Sequence, residues 1–233
     1  MPSTWAARDL RGVFCMDDVR TFYNQYAERE WERLDLDVYN RIIFIQHMDF
    51  IREHIEKGMK ILDAGCGAGR YSIEFAKMGC DVTLFDISDE QLKIAKSKVD
   101  ECNLSSYISG YIQGDLVDLS AFTDESFDII VCYGAPLSYV LEGRNTVISE
   151  FSRILKKGGT LVASVNNRWG VIRHLIGSQY QDFFNNPEYW FIDKVLSTGD
   201  LPKHEKVNQP PRHLFQADEL KLLLEMVDSR NYR

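Results

Sequence analysis

The residues from Lys60 to Ser88, KILDAGCGAGRYSIEFAKMGCDVTLFDIS, constrain the fold of this chain more than any other stretch. Ile61 and Leu62 form a short apolar run that stops at Asp63, and Gly65, Gly67 and Gly69 then alternate with small residues. Ile73, Ala76 and Lys77 follow at helical spacing. Gly79 supplies the positive φ with which helices commonly end. Val82, Leu84 and Phe85 make a second apolar run that closes on Asp86. Strand, glycine turn, helix, strand and acid make up half of a nucleotide-binding α/β sheet. The glycines let the backbone turn sharply and let a ligand approach without meeting a Cβ. The helix beginning near Arg70 offers unpaired backbone N–H groups to an anionic group. Asp86, roughly 20 residues past the glycines, stands where a carboxylate accepts hydrogen bonds from a ribose diol.

The loop GCGAG is one residue tighter than the dinucleotide pattern G-x-G-x-x-G. Asp63 also stands two positions before the first glycine, where dinucleotide folds usually carry an apolar residue. The string LDAGCGAGR closely resembles the first motif of class I S-adenosylmethionine-dependent methyltransferases of the small-molecule type, domains 11 and 25 of that family. The resemblance implies S-adenosyl-L-methionine as cofactor, held by Asp63, Gly65, Gly67, Gly69 and Asp86, with Ile87 and Gln91 just beyond. It extends to Gly114-Asp115-Leu116, where the family's acid meets the adenine amine and the next backbone N–H meets the ring. SFDIIVC and RILKKGGTLVASV are similar to the family's fourth- and fifth-strand segments, with Lys157 where proline is commonest. The string from Tyr23 to Trp31 has the Y-x-x-x-A-x-x-Y/W character of a leading helix that folds over the cofactor as a lid, and places Tyr26 against it. Tyr133 to Tyr139, following the fourth strand, should face the methyl group, since ligands bind outside the carboxyl ends of the strands. That loop lacks the D/N-P-P-Y/F/W string of enzymes that methylate amino bases or amides.

Taken in order, the pattern predicts helices over 17–34 and 39–55, then strands over 107–112, 126–132 and 160–165. A helix over 143–156 should end on Lys156 and Lys157, with Gly158 and Gly159 breaking it. The expected fold is α/β: a Rossmann-like, doubly wound, mostly parallel sheet with helices on both faces. Residues 1–57 read as a leader with lid helices, 58–166 as the cofactor-binding core, and 167–215 as a cap inserted over the substrate. Residues 216–233 read as a last helix and a shortened C-terminus, without the family's strands six and seven. An unpaired edge on strand five would invite a homodimer. The cap carries Trp169, Tyr180, Phe183, Phe184, Tyr189, Trp190 and Phe191, which suits an apolar or planar small substrate.

The formal charge of −8 repels phosphate backbones, so no nucleic-acid partner is expected. Five cysteines, an odd number without a C-x-x-C pair, fit reduced thiols in the cytoplasm. No Cys/His spacing suits a metal, and no apolar run reaches membrane-spanning length. Methyl transfer from a sulfonium is an in-line displacement for which alignment supplies about 7–11 kcal/mol. A general base is required only when the nucleophile must lose a proton that solvent cannot take. Tyr133 and His213 are the catalytic candidates, with Tyr139 and His174 by position alone. The leading reading is methyl transfer to a small-molecule acceptor. The alternative is a catalytically weak cofactor-binding module that acts through a partner. A nicotinamide oxidoreductase is disfavoured by the tight glycine loop, and RNA or protein methylation by the charge.

Overall fold

The computed structural model describes residues 16–177, 191–203 and 209–231. Residues 1–15, the cap aromatics Tyr180, Phe183, Phe184, Tyr189 and Trp190, and the side chain of His174 lie outside what is described. Three helices lead: α1 (Met16–Tyr26), α2 (Glu28–Arg33) and α3 (Val38–Arg52). The alternating region follows as β1 (Lys60–Ala64), α4 (Arg70–Lys77), β2 (Asp81–Asp86), α5 (Asp89–Glu101), β3 (Ile108–Gln113) and β4 (Phe127–Cys132). It continues with the short α6 (Pro136–Tyr139), α7 (Arg144–Ile154) and β5 (Leu155–Ala163). The remainder comprises α8 (Arg168–Gly177), α9 (Ile192–Thr198), β6 (Asp200–Leu201), β7 (Arg212–His213) and α10 (Ala217–Asn231).

The five main strands pair in the order β3-β2-β1-β4-β5, all parallel. Alternate residues of each strand serve opposite faces, as the period of a strand requires. Ile61, Val82, Leu84, Ile129 and Val131 pack with Met48 and Ile51 of α3, Phe75 of α4 and Ala95 of α5. Leu62, Ala64, Ile130 and Cys132 pack instead with Val147, Ile148 and Phe151 of α7 and Leu223 of α10. Both faces are therefore covered, which is why the strands read as unbroken apolar runs. The strand order reverses between β1 and β4, and their carboxyl ends open a crevice there. Beyond β5 the described residues add no strand to the sheet; Asn167 and Phe215 form a single parallel bridge just past its end. β6 and β7 pair antiparallel in a separate ladder.

Two expectations need correction. The helix predicted over 17–34 breaks at Ala27, whose φ of 46° departs from helical geometry. Its cause is tertiary: the Gln91 side chain donates to the carbonyls of Tyr23 and Ala27, both at 3.0 Å. The second concerns Lys156 and Lys157, which end no helix. α7 stops at Ile154 and β5 begins at once, pairing Leu155 with Phe127 before the register slips so that Ile129 meets Thr160. Lys156 reaches Asp128 at 2.7 Å, and Lys157 lies 3.7 Å from Glu125. Gly158, at φ 75°, carries the turn of this bulge.

The candidate cofactor crevice

The glycine loop between β1 and α4 is fastened to the end of β2. Gly65 and Cys66 donate their N–H groups to the Phe85 carbonyl at 2.7 and 3.1 Å, and Gly67 donates to Asp86 Oδ2 at 2.8 Å. Gly65 has φ 82°, and a Cβ there would stand 2.3 Å from Pro136 Cγ. No other residue fits that position. The loop hence lies flat against the mouth of the switch point.

Asp86 lines the crevice while only 8% exposed. Its second oxygen accepts the Ser88 N–H at 2.8 Å. Burial pushes its carboxyl up to about 6, against the pull of these backbone donors. Asp63 lies behind the loop rather than in the crevice, at 1% exposure, and accepts the Ser72 hydroxyl at 2.5 Å. Burial raises it to about 7. Asp115 accepts the Val117 N–H at 3.1 Å and shapes a turn, whose neighbours Gly114 and Leu116 line the crevice. Gly114 is required beside Phe85, whose ring edge lies 2.5 Å from where a Cβ would be. Ile87, Leu116 and Val140 give the crevice an apolar portion next to Asp86. Gly69 stands at the start of α4 with φ 79°.

The leading helices close the other side. Tyr23, Glu30 and Arg33 line the crevice, whereas Tyr26 faces an adjoining outer cavity and stacks on Phe22 at 5.5 Å. Glu30 and Arg33 form a pair at 2.6 Å, and Glu30 Cγ passes 3.3 Å from where a Cβ on Gly67 would sit. Gln91 is fully buried and lies behind the crevice wall as the latch of α1. Asn24 adds bonds to Ser88 and Asp89 at 2.5 and 3.1 Å.

Tyr133 lines the crevice, donates its hydroxyl to the His47 carbonyl at 3.1 Å, and stacks on the His47 ring at 4.2 Å. Burial raises the Tyr133 hydroxyl to about 12. His47 Nδ1 meets the Tyr71 hydroxyl at 2.8 Å, and burial with the nearby Arg33 charge lowers the imidazole to about 4. The sequence offers no signal for His47, which sits on α3 among apolar residues and meets the crevice only through folding. Tyr139 lines the crevice edge-on to Tyr23 at 5.9 Å. His213 lies elsewhere, in β7, with Nδ1 on Asp200 at 2.7 Å and Nε2 on Glu219 at 2.5 Å. Both its nitrogens are therefore engaged.

Comparison with known proteins bears directly on this geometry. Residues 61–159 match the family described as a methyltransferase domain. YqeM of Bacillus subtilis is 35% identical over 130 residues, which cover 54% of this chain and 50% of that protein. A sterol 24-C-methyltransferase of Yarrowia lipolytica is 31% identical over 155 residues, 65% of this chain and 37% of that one. The chain thus spans half or less of the length of these curated relatives. The crystal structure of a SAM-dependent methyltransferase from Methanosarcina mazei superposes with a TM-score of 0.58 at 27% identity, over 76% of this chain and 82% of that one. S-adenosylmethionine is the cofactor this family implies, and the crevice suits it. A planar base fits the apolar portion, a ribose diol fits the buried carboxylate of Asp86, and the side-chain-free loop at Gly65 and Gly67 leaves room for the remainder. Fold, motif and matched region agree that residues 61–159 form a methyltransferase domain of the class I, S-adenosylmethionine-dependent kind.

Proposed function

We propose that the protein transfers a methyl group from S-adenosylmethionine to a small-molecule acceptor. The observation that carries this reading is that the crevice lies against a second, outer cavity, the two sharing Tyr23, Glu30, Arg33, Gly134 and Tyr139 as lining. When bound, the cofactor supplies an electrophilic methyl carbon. Asp86 anchors the ribose; Gly65 and Gly67 make room beside it, with Gly69 starting the helix behind them; Ile87 and Leu116 flank the base. Asp63, Gln91 and Asp115 act one layer back: Asp63 braces the loop through Ser72, Gln91 latches the lid, and Asp115 fixes the turn beside Leu116. Tyr133 walls the crevice with its proton committed to the His47 carbonyl, a positioning role. Tyr26 meets the acceptor side of the lid, and His213 braces the cap.

Tyr133 in the crevice wall is held near 12 and His47 behind it near 4, so neither is poised as a general base at neutral pH. Orientation and exclusion of water then carry the rate. The sterol methyltransferase among the relatives supports a small organic acceptor. A cytoplasmic location belongs to this reading, as does dimerisation along the outer edge of β5.

Isothermal titration tests it. The intact protein should bind S-adenosylhomocysteine, and Asp86→Ala should weaken that binding by about 1.5–3 kcal/mol through loss of a charge-assisted partner. An intact protein that binds neither S-adenosylmethionine nor S-adenosylhomocysteine would remove the proposal.

A further inference from the structure

The outer cavity, about 340 Å³, differs in character from the crevice beside it. Its wall holds Arg29, Arg33 and Arg212 against a single carboxylate, Glu30, on a chain whose net charge is −8. Glu30 is taken up by Arg33 at 2.6 Å. Arg29 and Arg212 are left to set the local sign, and Arg29 makes no ion pair among the described residues.

Arg212 carries the argument furthest. It is only 9% exposed, yet its Nε has no hydrogen-bond partner among the described residues, while Nη1 is bound by Gln209. A buried guanidinium N–H without an acceptor is costly, and a water, an ion or a ligand entering the cavity would satisfy it. Asn166 presents the complementary case, for its buried Oδ1 lacks a donor. Its backbone is fixed on both sides, donating to Ser138 Oγ at 3.0 Å and accepting from Phe215 at 2.8 Å. The cavity thus offers a buried donor of positive charge and a rigidly placed acceptor. The stacked rings of Phe22 and Tyr26 make a flat wall nearby.

We propose that this cavity seats the methyl acceptor and selects an anionic one, a planar molecule bearing a carboxylate or phosphate group that Arg212 and Arg29 read. Asn166 Oδ1 accepts from an N–H or O–H on the same molecule. This rests on the methyltransferase reading and names its substrate class. It departs from the apolar acceptor that the cap composition favours, because the described cap aromatics line neither cavity: Trp169 is exposed and Phe191 is buried among α8 and α9.

The test uses the full chain in low salt. Binding of S-adenosylhomocysteine is measured first, as it judges the methyltransferase reading alone. Benzoate, phenyl phosphate and the neutral benzamide are then titrated into the protein saturated with S-adenosylhomocysteine. At least one anion should bind about tenfold or more tighter than benzamide, as a charge-assisted bond requires. The better of the two anions identifies the group, carboxylate or phosphate ester. Arg29→Gln, at an exposed position, and Arg212→Gln should each erode the preference, and S-adenosylhomocysteine affinity in the same samples reports whether they fold. Equal binding of benzamide, no binding of any probe, competition between the anions and S-adenosylhomocysteine, or an unchanged preference in folded variants overturns the proposal. A chain that refuses S-adenosylhomocysteine yet keeps the anion preference loses the methyltransferase reading and retains the anion site.

Discussion

Asp86 meets two opposed demands. Burial favours its neutral form and lifts its carboxyl to about 6, while a ribose diol is best held by the ionised form. A carboxyl raised above its unfolded value of about 3.9 contributes stability fully present below that value and lost as pH rises through about 6. Cofactor binding runs the other way. Affinity for S-adenosylhomocysteine should be flat above pH 7 and fall below about pH 6, approaching tenfold per pH unit in the limit. Asp86→Asn should flatten that profile and lower affinity throughout, because its amide nitrogen must face one of two N–H donors, Gly67 or Ser88. The variant is a needed control, since Asp63 titrates near 7 behind the same loop. An unchanged slope in Asp86→Asn would move the titration to Asp63. The place of Asp86, Gly65 and Gly67 at the crevice was legible in the sequence because it follows from local backbone geometry and fixed spacing. Glu30 and Arg33, which line the crevice, and His47, which packs behind Tyr133, were not, for helix packing that no spacing encodes brings each there.

At the scale of elements, the leading helices are joined to the sheet by few bonds. Gln91, fully buried, donates twice to the C-terminal end of α1, and Asn24 ties that helix to the start of α5. Trp31 on α2 packs beneath the Arg70 guanidinium at 4.7 Å, and Arg70 also pairs with Asp35 at 2.6 Å. Gln91→Met keeps the volume and removes both side-chain bonds, each worth about 0.5–1.5 kcal/mol, leaving the two carbonyls only the Ala27 and Glu30 backbone N–H groups. Amide hydrogen exchange should quicken across residues 16–33 while β1, β2 and β4 stay protected, and S-adenosylhomocysteine should bind more weakly. Uniform loss of protection across the sheet would show that Gln91 is a core residue rather than a latch. The five strands were readable because both faces are buried and each strand appears as an apolar run. The break at Ala27 was unreadable, as it depends on a side chain more than sixty residues away. Within α1 it is Tyr23 rather than Tyr26 that meets the crevice. The bulge after Leu155 was equally hidden, since only pairing with β4 reveals the slipped register.

For the molecule as a whole, the described part of residues 167–215 is held by a buried polar network distinct from the crevice. Arg168, 5% exposed, donates to the carbonyls of Leu214 and Thr198 at 3.1 and 3.2 Å and to Glu219 at 3.2 Å. Glu219 and Asp200 clasp His213 between them, so α8, the end of α9, β6, β7 and α10 meet at one place. Gly199 is obligatory there, because a Cβ would stand 2.3 Å from the Arg168 guanidinium. The sequence marked His213 as a catalytic candidate because a histidine near a predicted site always qualifies; its two carboxylate partners emerge only once β6 and β7 pair. Arg168→Met removes the guanidinium donors of the junction and should cost roughly 1.5–3 kcal/mol. At about 2–4 °C per kcal/mol for a chain of this size, the Tm should drop by several degrees. Arg168→Lys should recover only part of that loss, since an ammonium cannot fork between two carbonyls and a carboxylate. S-adenosylhomocysteine affinity should stay near that of the intact protein in both variants, because no residue of this junction lines the crevice. The anion preference of the outer cavity should weaken instead, for β7 carries Arg212 and its position depends on the same network. Loss of cofactor affinity in step with the Tm would show that cap and crevice unfold as one unit, and that the junction supports the whole protein rather than the acceptor side alone.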